Sequence, residues 1–245
     1  MTAVPVVVFH AIRDDGDPWS MSWSRFREYA GMVADSGRTA VTVHELAQRL
    51  RTGASVAGLV AVSFDDGDAS QLPAAAALAD AGLASTVYVT VGYLGTDGML
   101  DAAQLPELSA VPGVEVGSHS VQHVHLDVLG PAELRAQLRD SRAALEDLVG
   151  QEVRGIAYPH GSHDRRVLRA AEQAGYRSGA AVRNALSHDR EHPLSVSRLI
   201  VTQATPIPMV QAFLRGEGRL GETRPRLRTR GFRLYRKARH RLTSA

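Results

Sequence analysis

Short apolar runs and amphipathic stretches alternate along most of the chain. Val4–Phe9 is a β-branched run that reads as a buried strand, and Trp23–Asp35 carries Phe26, Tyr29, Ala30 and Val33 at helical spacing before Gly37. Val43–Leu50 predicts a second helix, Leu59–Phe64 a strand, and Ala69–Ala81 an alanine-rich helix closed by Gly82. Further strands are expected at Thr86–Val91, Val114–Ser118, Gly155–Tyr158, Ser178–Val182 and Val196–Val201. Helices are expected at Pro131–Val149, with proline in its first turn, at Arg165–Ala174 and from about Pro208 to Leu214. Repeated strand–helix alternation predicts an α/β fold with a parallel sheet and crossover helices. Some seven such units suit a closed or nearly closed barrel better than an open nucleotide-binding sheet. No GxGxxG or GxxxxGK[ST] follows the first strand, which weighs against a dinucleotide or nucleoside-triphosphate site.

The composition narrows the chemistry. Of 245 residues, 44% are hydrophobic and none is cysteine, so a large core is available while disulfides, thiolate metal sites and cysteine nucleophiles are excluded. The formal net charge of +2 hides two unlike parts. From Arg219 onward ten Lys/Arg face one acid, Glu222, for +9; the rest holds 18 basic and 25 acidic residues, for −7. The expected layout is one catalytic domain over residues 1–216 and a basic tail over 217–245. In that tail Leu227, Leu234, Ala238 and Leu242 recur at helical spacing among arginines, which suits an anionic membrane surface. No nucleic-acid module accompanies the arginines, so nucleic acid is not an expected partner. Met1–His10 lacks the pattern of an export signal, and the expected location is cytoplasmic, peripheral on the inner membrane face.

Polar residues gather where the predicted strands end, which is where α/β barrels build their sites. The first strand ends in His10, Leu59–Phe64 in Asp65-Asp66-Gly67, and Val114–Ser118 in His119, with His123 and His125 close behind. Gly155–Tyr158 runs into Pro159-His160-Gly161-Ser162-His163. An Asp-Asp-Gly alone is usually a turn, and an HxxxH pair alone is usually a solvated helix face. Together, one aspartate and two histidines make an N,N,O set suited to a divalent ion, and a second aspartate beside it can act as base.

These residues carry a resemblance. Ser63-Phe64-Asp65-Asp66-Gly67 resembles the first motif of the polysaccharide deacetylases, the NodB-type carbohydrate esterase family 4, and His119-Ser120-Val121-Gln122-His123 resembles the second. Tyr158-Pro159-His160-Gly161 is similar to the third motif in the branch with YPxG in place of RxPxG, and Val6–His10 is similar to that branch's opening strand. The resemblance implies a single-domain, distorted (β/α)7 barrel and a metal-dependent hydrolase that removes N-acetyl groups from an amino-sugar-containing substrate. That substrate would be a glycan precursor, a glycolipid or a glycosylated metabolite. It further implies Asp65 as general base and Asp66, His119 and His123 as ligands of a divalent metal, zinc first, with cobalt, nickel or manganese as alternatives. Tyr158, Pro159 and His160 are the expected substrate contacts. Ala157 stands where many members carry the arginine that orients the catalytic aspartate, and no LxxH motif supplies the usual acid histidine. His10 is therefore the first candidate for the acid and His160 the second. Hydrolysis of another non-peptide C–N bond, or a non-catalytic glycan-binding role, are the rival readings. Trp19 and Trp23 are expected to anchor the loop after the first strand, in preference to stacking on sugar, and Tyr93 and Leu94 are placed along the substrate groove.

Overall fold

A computed structural model describes residues 1–221 of the chain; most of the basic tail lies outside the described residues. Eight strands form the main sheet: β1 (Val6–Phe9), β2 (Thr39–Val41), β3 (Leu59–Phe64), β4 (Ser85–Val89), β5 (Val114–Ser118), β6 (Gly155–Ala157), β7 (Ser178–Val182) and β8 (Val196–Ile200). All pair in parallel, and β1 joins both β8 and β3, which closes seven of them into a barrel. Strand β2 is appended to β3. The helices are α1 (Trp23–Ala34), α2 (Val43–Thr52), α3 (Gln71–Asp80), α4 (Gln104–Ala110), α5 (Pro131–Val149), α6 (Arg165–Gln173) and α7 (Ile207–Leu214). The expected barrel is therefore the observed one.

The expected elements recur within a few residues, with local differences. Pro5, which has no N–H to give a ladder, breaks the first apolar run. Ala3–Val4 instead pairs antiparallel with Ser187–His188, and only Val6–Phe9 enters the barrel. Strand β2 and helix α4 lie in stretches for which no element was expected. Both are short, and tertiary pairing rather than a strong local pattern makes them.

Period-two alternation sorts each strand's residues onto two faces. Val7, Phe9, Val60, Val62 and Phe64 face the helices, in the larger apolar cluster. Val6, Ala61, Tyr88, Ala157, Ala180 and Val196 belong to a second cluster inside the barrel, together with Val43, Leu46 and Ala47 of α2. Helix α2 thus plugs the amino end of the barrel. It is well specified locally: Thr42 and Glu45 form a capping box, and Gly53 ends the helix in a left-handed turn at φ 70°. A single residue pair, Ser118 with Ile156, joins β5 to β6, and this seam is where the barrel departs from regularity.

Candidate active site

The inward parity that puts Ala61 and Ser63 inside the barrel carries on to Asp65 at its carboxyl end, and likewise to His10 after β1 and His119 after β5. Three separate strands thus aim their terminal polar residue at one mouth. Gln71 ties two of these ends together, since its side-chain amide donates to the carbonyls of both His10 and Asp65.

Asp66 would point outward if the strand continued. Its φ of 81°, in the left-handed region, turns the chain so that adjacent carboxylates face the same site. His123 has a φ of 53° and His160 of 56°, so both histidines also sit on turned backbone at the mouth. The cost of these conformations, roughly 1 kcal/mol or more each, is carried by the barrel around them.

Asp66, His119 and His123 offer one ligand atom each, all within 4.8 Å of one another. His119 Nε2 lies 3.4 Å and His123 Nε2 3.3 Å from Asp66 Oδ1. The weak β5–β6 seam leaves the Ala157 carbonyl to accept from His119 Nδ1 at 2.8 Å, so Nε2 turns its lone pair toward Asp66. Burial holds His119 down at about 3, against the pull of Asp65, and burial also lowers His123; both imidazoles are neutral near pH 7. Burial pushes Asp66 up to about 6, opposed by His10 and reinforced by Asp65, and its buried Oδ1 has no hydrogen-bond partner. The lone pair of His119 Nε2, a second neutral imidazole and a carboxylate oxygen without a hydrogen-bond partner converge there, and that donor set fits a divalent cation of the zinc type.

Asp65 is held quite differently. Burial alone would raise its carboxyl, but the guanidinium of Arg198, with His119 and His10 behind it, holds it well below the usual carboxylate range. Arg198 bonds both carboxylate oxygens at 2.7 Å, a fork-on-fork pair with no exposed surface on the arginine. The same guanidinium reaches Ser63 Oγ at 3.1 Å and lies over the Tyr88 ring at 5.5 Å. Tyr88 fits because β5 and β6 carry Gly117 and Gly155 opposite it; a Cβ on Gly117 would sit 2.5 Å from the ring. Arg198 was missed in sequence because it lies mid-strand on β8, far from the motif position that Ala157 occupies. Its signal was present: an arginine inside a strand that is otherwise buried must have a carboxylate to face.

Two expected substrate contacts need correction. Tyr158 is wholly buried, stacked on His163 with its hydroxyl donating to the Leu194 carbonyl at 2.9 Å, and Pro159 is buried beside it. Their side chains hold the turn and do not reach the mouth. His160 does: it is exposed, 4.5 Å from the His123 ring and 4.1 Å from the His125 ring between centroids. His163 is buried, with Nε2 2.7 Å from Ser195 Oγ. Of the two tryptophans expected as anchors, Trp23 packs edge-on against Phe26, whereas Trp19 is 53% exposed.

Residues 53–179, just over half of the chain, match the family model of the polysaccharide deacetylases. The chain belongs to that family. It is similar to "Putative polysaccharide deacetylase YxkH" of Bacillus subtilis (strain 168), 25% identical over 178 residues. That match covers 72% of this deacetylase-family chain and 63% of the relative, so the chain spans less than two thirds of the relative's length. In fold it is similar to IcaB from Ammonifex degensii, with a TM-score of 0.75 at 21% identity, covering 88% of this chain and 98% of that one. It is also similar to the Streptococcus pyogenes deacetylase PplD, solved with acetate, with a TM-score of 0.72 at 21% identity, covering 83% and 94%.

Proposed function

We propose that this family member is a metal-dependent N-deacetylase acting on an amino-sugar-containing substrate. The observation that carries the reading is the division of labour between adjacent carboxylates. Asp66 converges with two neutral histidines, and Asp65 is kept ionised beside them by Arg198.

In this mechanism Asp66, His119 and His123 hold a divalent ion, zinc by preference. When bound, it supplies a Lewis acid that polarises the acetyl carbonyl and makes water acidic enough for a weakly basic carboxylate to take its proton. Asp65 Oδ2, 3.9 Å from His119 Nε2, receives that proton and orients the attacking water. Arg198 fixes the carboxylate plane and keeps it charged. The departing amine must be protonated, and His10 is the proposed donor; its ring is at the mouth and near enough to bias the charge of both aspartates. His160 is the proposed contact for the sugar. The test is acetate release from acetylated chitooligosaccharides with and without zinc or cobalt, alongside metal analysis of purified protein. Asp65→Asn is expected to abolish turnover with metal still bound. Absence of both bound metal and metal-stimulated acetate release would overturn the proposal.

The basic tail, most of which lies outside the described residues, is proposed to place the enzyme on an anionic membrane surface at the cytoplasmic face. The partition of +9 from Arg219 onward and −7 before it supports this. The 245-residue chain should sediment with anionic liposomes and a chain ending at Arg215 should not.

A further inference from the structure

We infer that Thr90 is a positioning residue: its hydroxyl accepts one O–H of the attacking water while Asp65 accepts the other, which aims the water's lone pair at the acetyl carbon. The inference deepens the proposed deacetylation and rests on it for the identity of the bond that breaks.

The Val89–Thr90 peptide stands between the two halves of the site. Its N–H donates to the Asp66 carbonyl at 3.1 Å, and its carbonyl accepts from the His119 N–H at 2.8 Å. Strand β4 runs in register with β5, Tyr88 beside Gly117 and Val89 beside Ser118, so the next step along both strands sets Thr90 beside His119. The backbone at Thr90 is still extended, with φ −83° and ψ 109°, so strand parity holds through it. Tyr88 of the same strand lies inside the barrel with Arg198 over its ring. Thr90, two residues on, therefore also points inward, one layer nearer the mouth, between the paired aspartates and His119.

Thr90 is wholly buried, and among the described residues no group bonds its Oγ1. Inward hydroxyls deeper in the barrel are accounted for: Ser63 donates to the Val7 carbonyl at 2.9 Å and Thr86 to the Glu115 carboxylate at 3.1 Å. Asp66 Oδ1 and His10 Nδ1 are buried without a partner too, and both belong to the same mouth. A hydroxyl shut away without a bond works against folding, and valine would fill nearly the same space without that penalty. What the hydroxyl serves is the reaction. Water has two O–H arms, and a single acceptor leaves it free to swing about that one bond. Asp65, fixed by Arg198, gives the first acceptor, and Thr90 Oγ1 on the neighbouring strand gives the second. With both made, the O–H toward Asp65 breaks as its proton passes to the carboxylate. The C–O bond forms from the water's lone pair, the carbonyl π pair moves onto the carbonyl oxygen, and the second O–H stays bonded to Thr90. Orientation of this kind acts on kcat and leaves sugar binding alone.

Thr90→Val and Thr90→Ser separate the hydroxyl from the methyl group. The zinc-loaded proteins are compared in acetate release from acetylated chitooligosaccharides, with thermal unfolding and zinc content measured in parallel. Thr90→Val should lower kcat about tenfold, the scale of one neutral hydrogen bond made in the transition state, with KM unchanged. Its zinc content should equal that of the wild type, and it should melt at or above the wild-type temperature. Thr90→Ser should keep most of the turnover yet melt lower, because it loses a buried methyl group. The more stable variant is thus the slower one, an order that a packing role would reverse. Wild-type kcat in Thr90→Val, an equal loss of kcat in Thr90→Ser, or loss of zinc from Thr90→Val would each overturn the assignment. The second probe is para-nitrophenyl acetate, whose hydrolysis needs the same water but no sugar. If it alone is hydrolysed, with the same loss in Thr90→Val, the water position stands and the amino-sugar reading falls. A wild-type protein that hydrolyses neither probe overturns both.

Discussion

Replacing Arg198 with methionine tests how the catalytic carboxylate is held. The substitution keeps most of the buried stem and removes the guanidinium, so the main effect is an unpaired Asp65 that is only 3% exposed. Removing one partner of a buried ion pair costs about 3–5 kcal/mol, because the remaining charge is left desolvated. Against a total stability of about 5–15 kcal/mol, that is large but survivable. At roughly 2–4 °C per kcal/mol for a domain of this size, the melting temperature should fall by about 10 °C. Asp65→Asn/Arg198→Met removes both charges and should recover most of the loss, giving a coupling energy of about 3 kcal/mol in a double-mutant cycle. Arg198→Lys keeps the charge but cannot make both 2.7 Å contacts, so it should be milder in stability while kcat/KM still falls about a hundredfold through misplacement of the carboxylate. Urea unfolding and acetate release measure the two effects. If Arg198→Met loses less than about 1 kcal/mol and keeps near wild-type turnover, the assignment of Arg198 as the holder of Asp65 is wrong.

Glu115 gives a pH-dependent counterpart at the closed end of the barrel. Burial pushes its carboxyl up from 4.5 to about 7, partly offset by hydrogen bonds from His44 N–H at 3.2 Å and Thr86 Oγ1 at 3.1 Å. Between these two values the folded protein binds the proton more tightly than the unfolded chain, so stability falls as pH rises and the loss is complete above about 7. Its ceiling is roughly 3 kcal/mol. Glu115→Gln keeps an accepting oxygen and should stabilise the protein at pH 8 while changing little at pH 5; equal effects at both would contradict the buried-charge account. Tyr158→Phe removes the hydroxyl bonded to Leu194 and should cost about 1 kcal/mol in thermal unfolding with KM unchanged. A large rise in KM would restore Tyr158 as a substrate contact.

Much of the architecture was already written in local patterns. The helical spacing of α2, the proline opening α5 and the short apolar runs of β1 and β3 act over a few residues, so local pattern located them, and the structure then adds the Thr42–Glu45 capping box at the start of α2. The site's ingredients were readable for a related reason: polar residues at the ends of inward-facing strands have nowhere to go except the mouth. What reading along the chain could not supply was partnership across it. Arg198 meets Asp65 across 133 positions of sequence, and only closure of the barrel through β1, which pairs with β8 on one side and β3 on the other, brings them within 2.7 Å. The burial of Tyr158, the outward display of Trp19 and the freedom of the Ala157 carbonyl at the β5–β6 seam were likewise decided by neighbours distant in sequence. Local free energies choose helix, strand and turn. The direction in which a side chain points, and the charge it meets there, depend on which surfaces the closed barrel leaves for it.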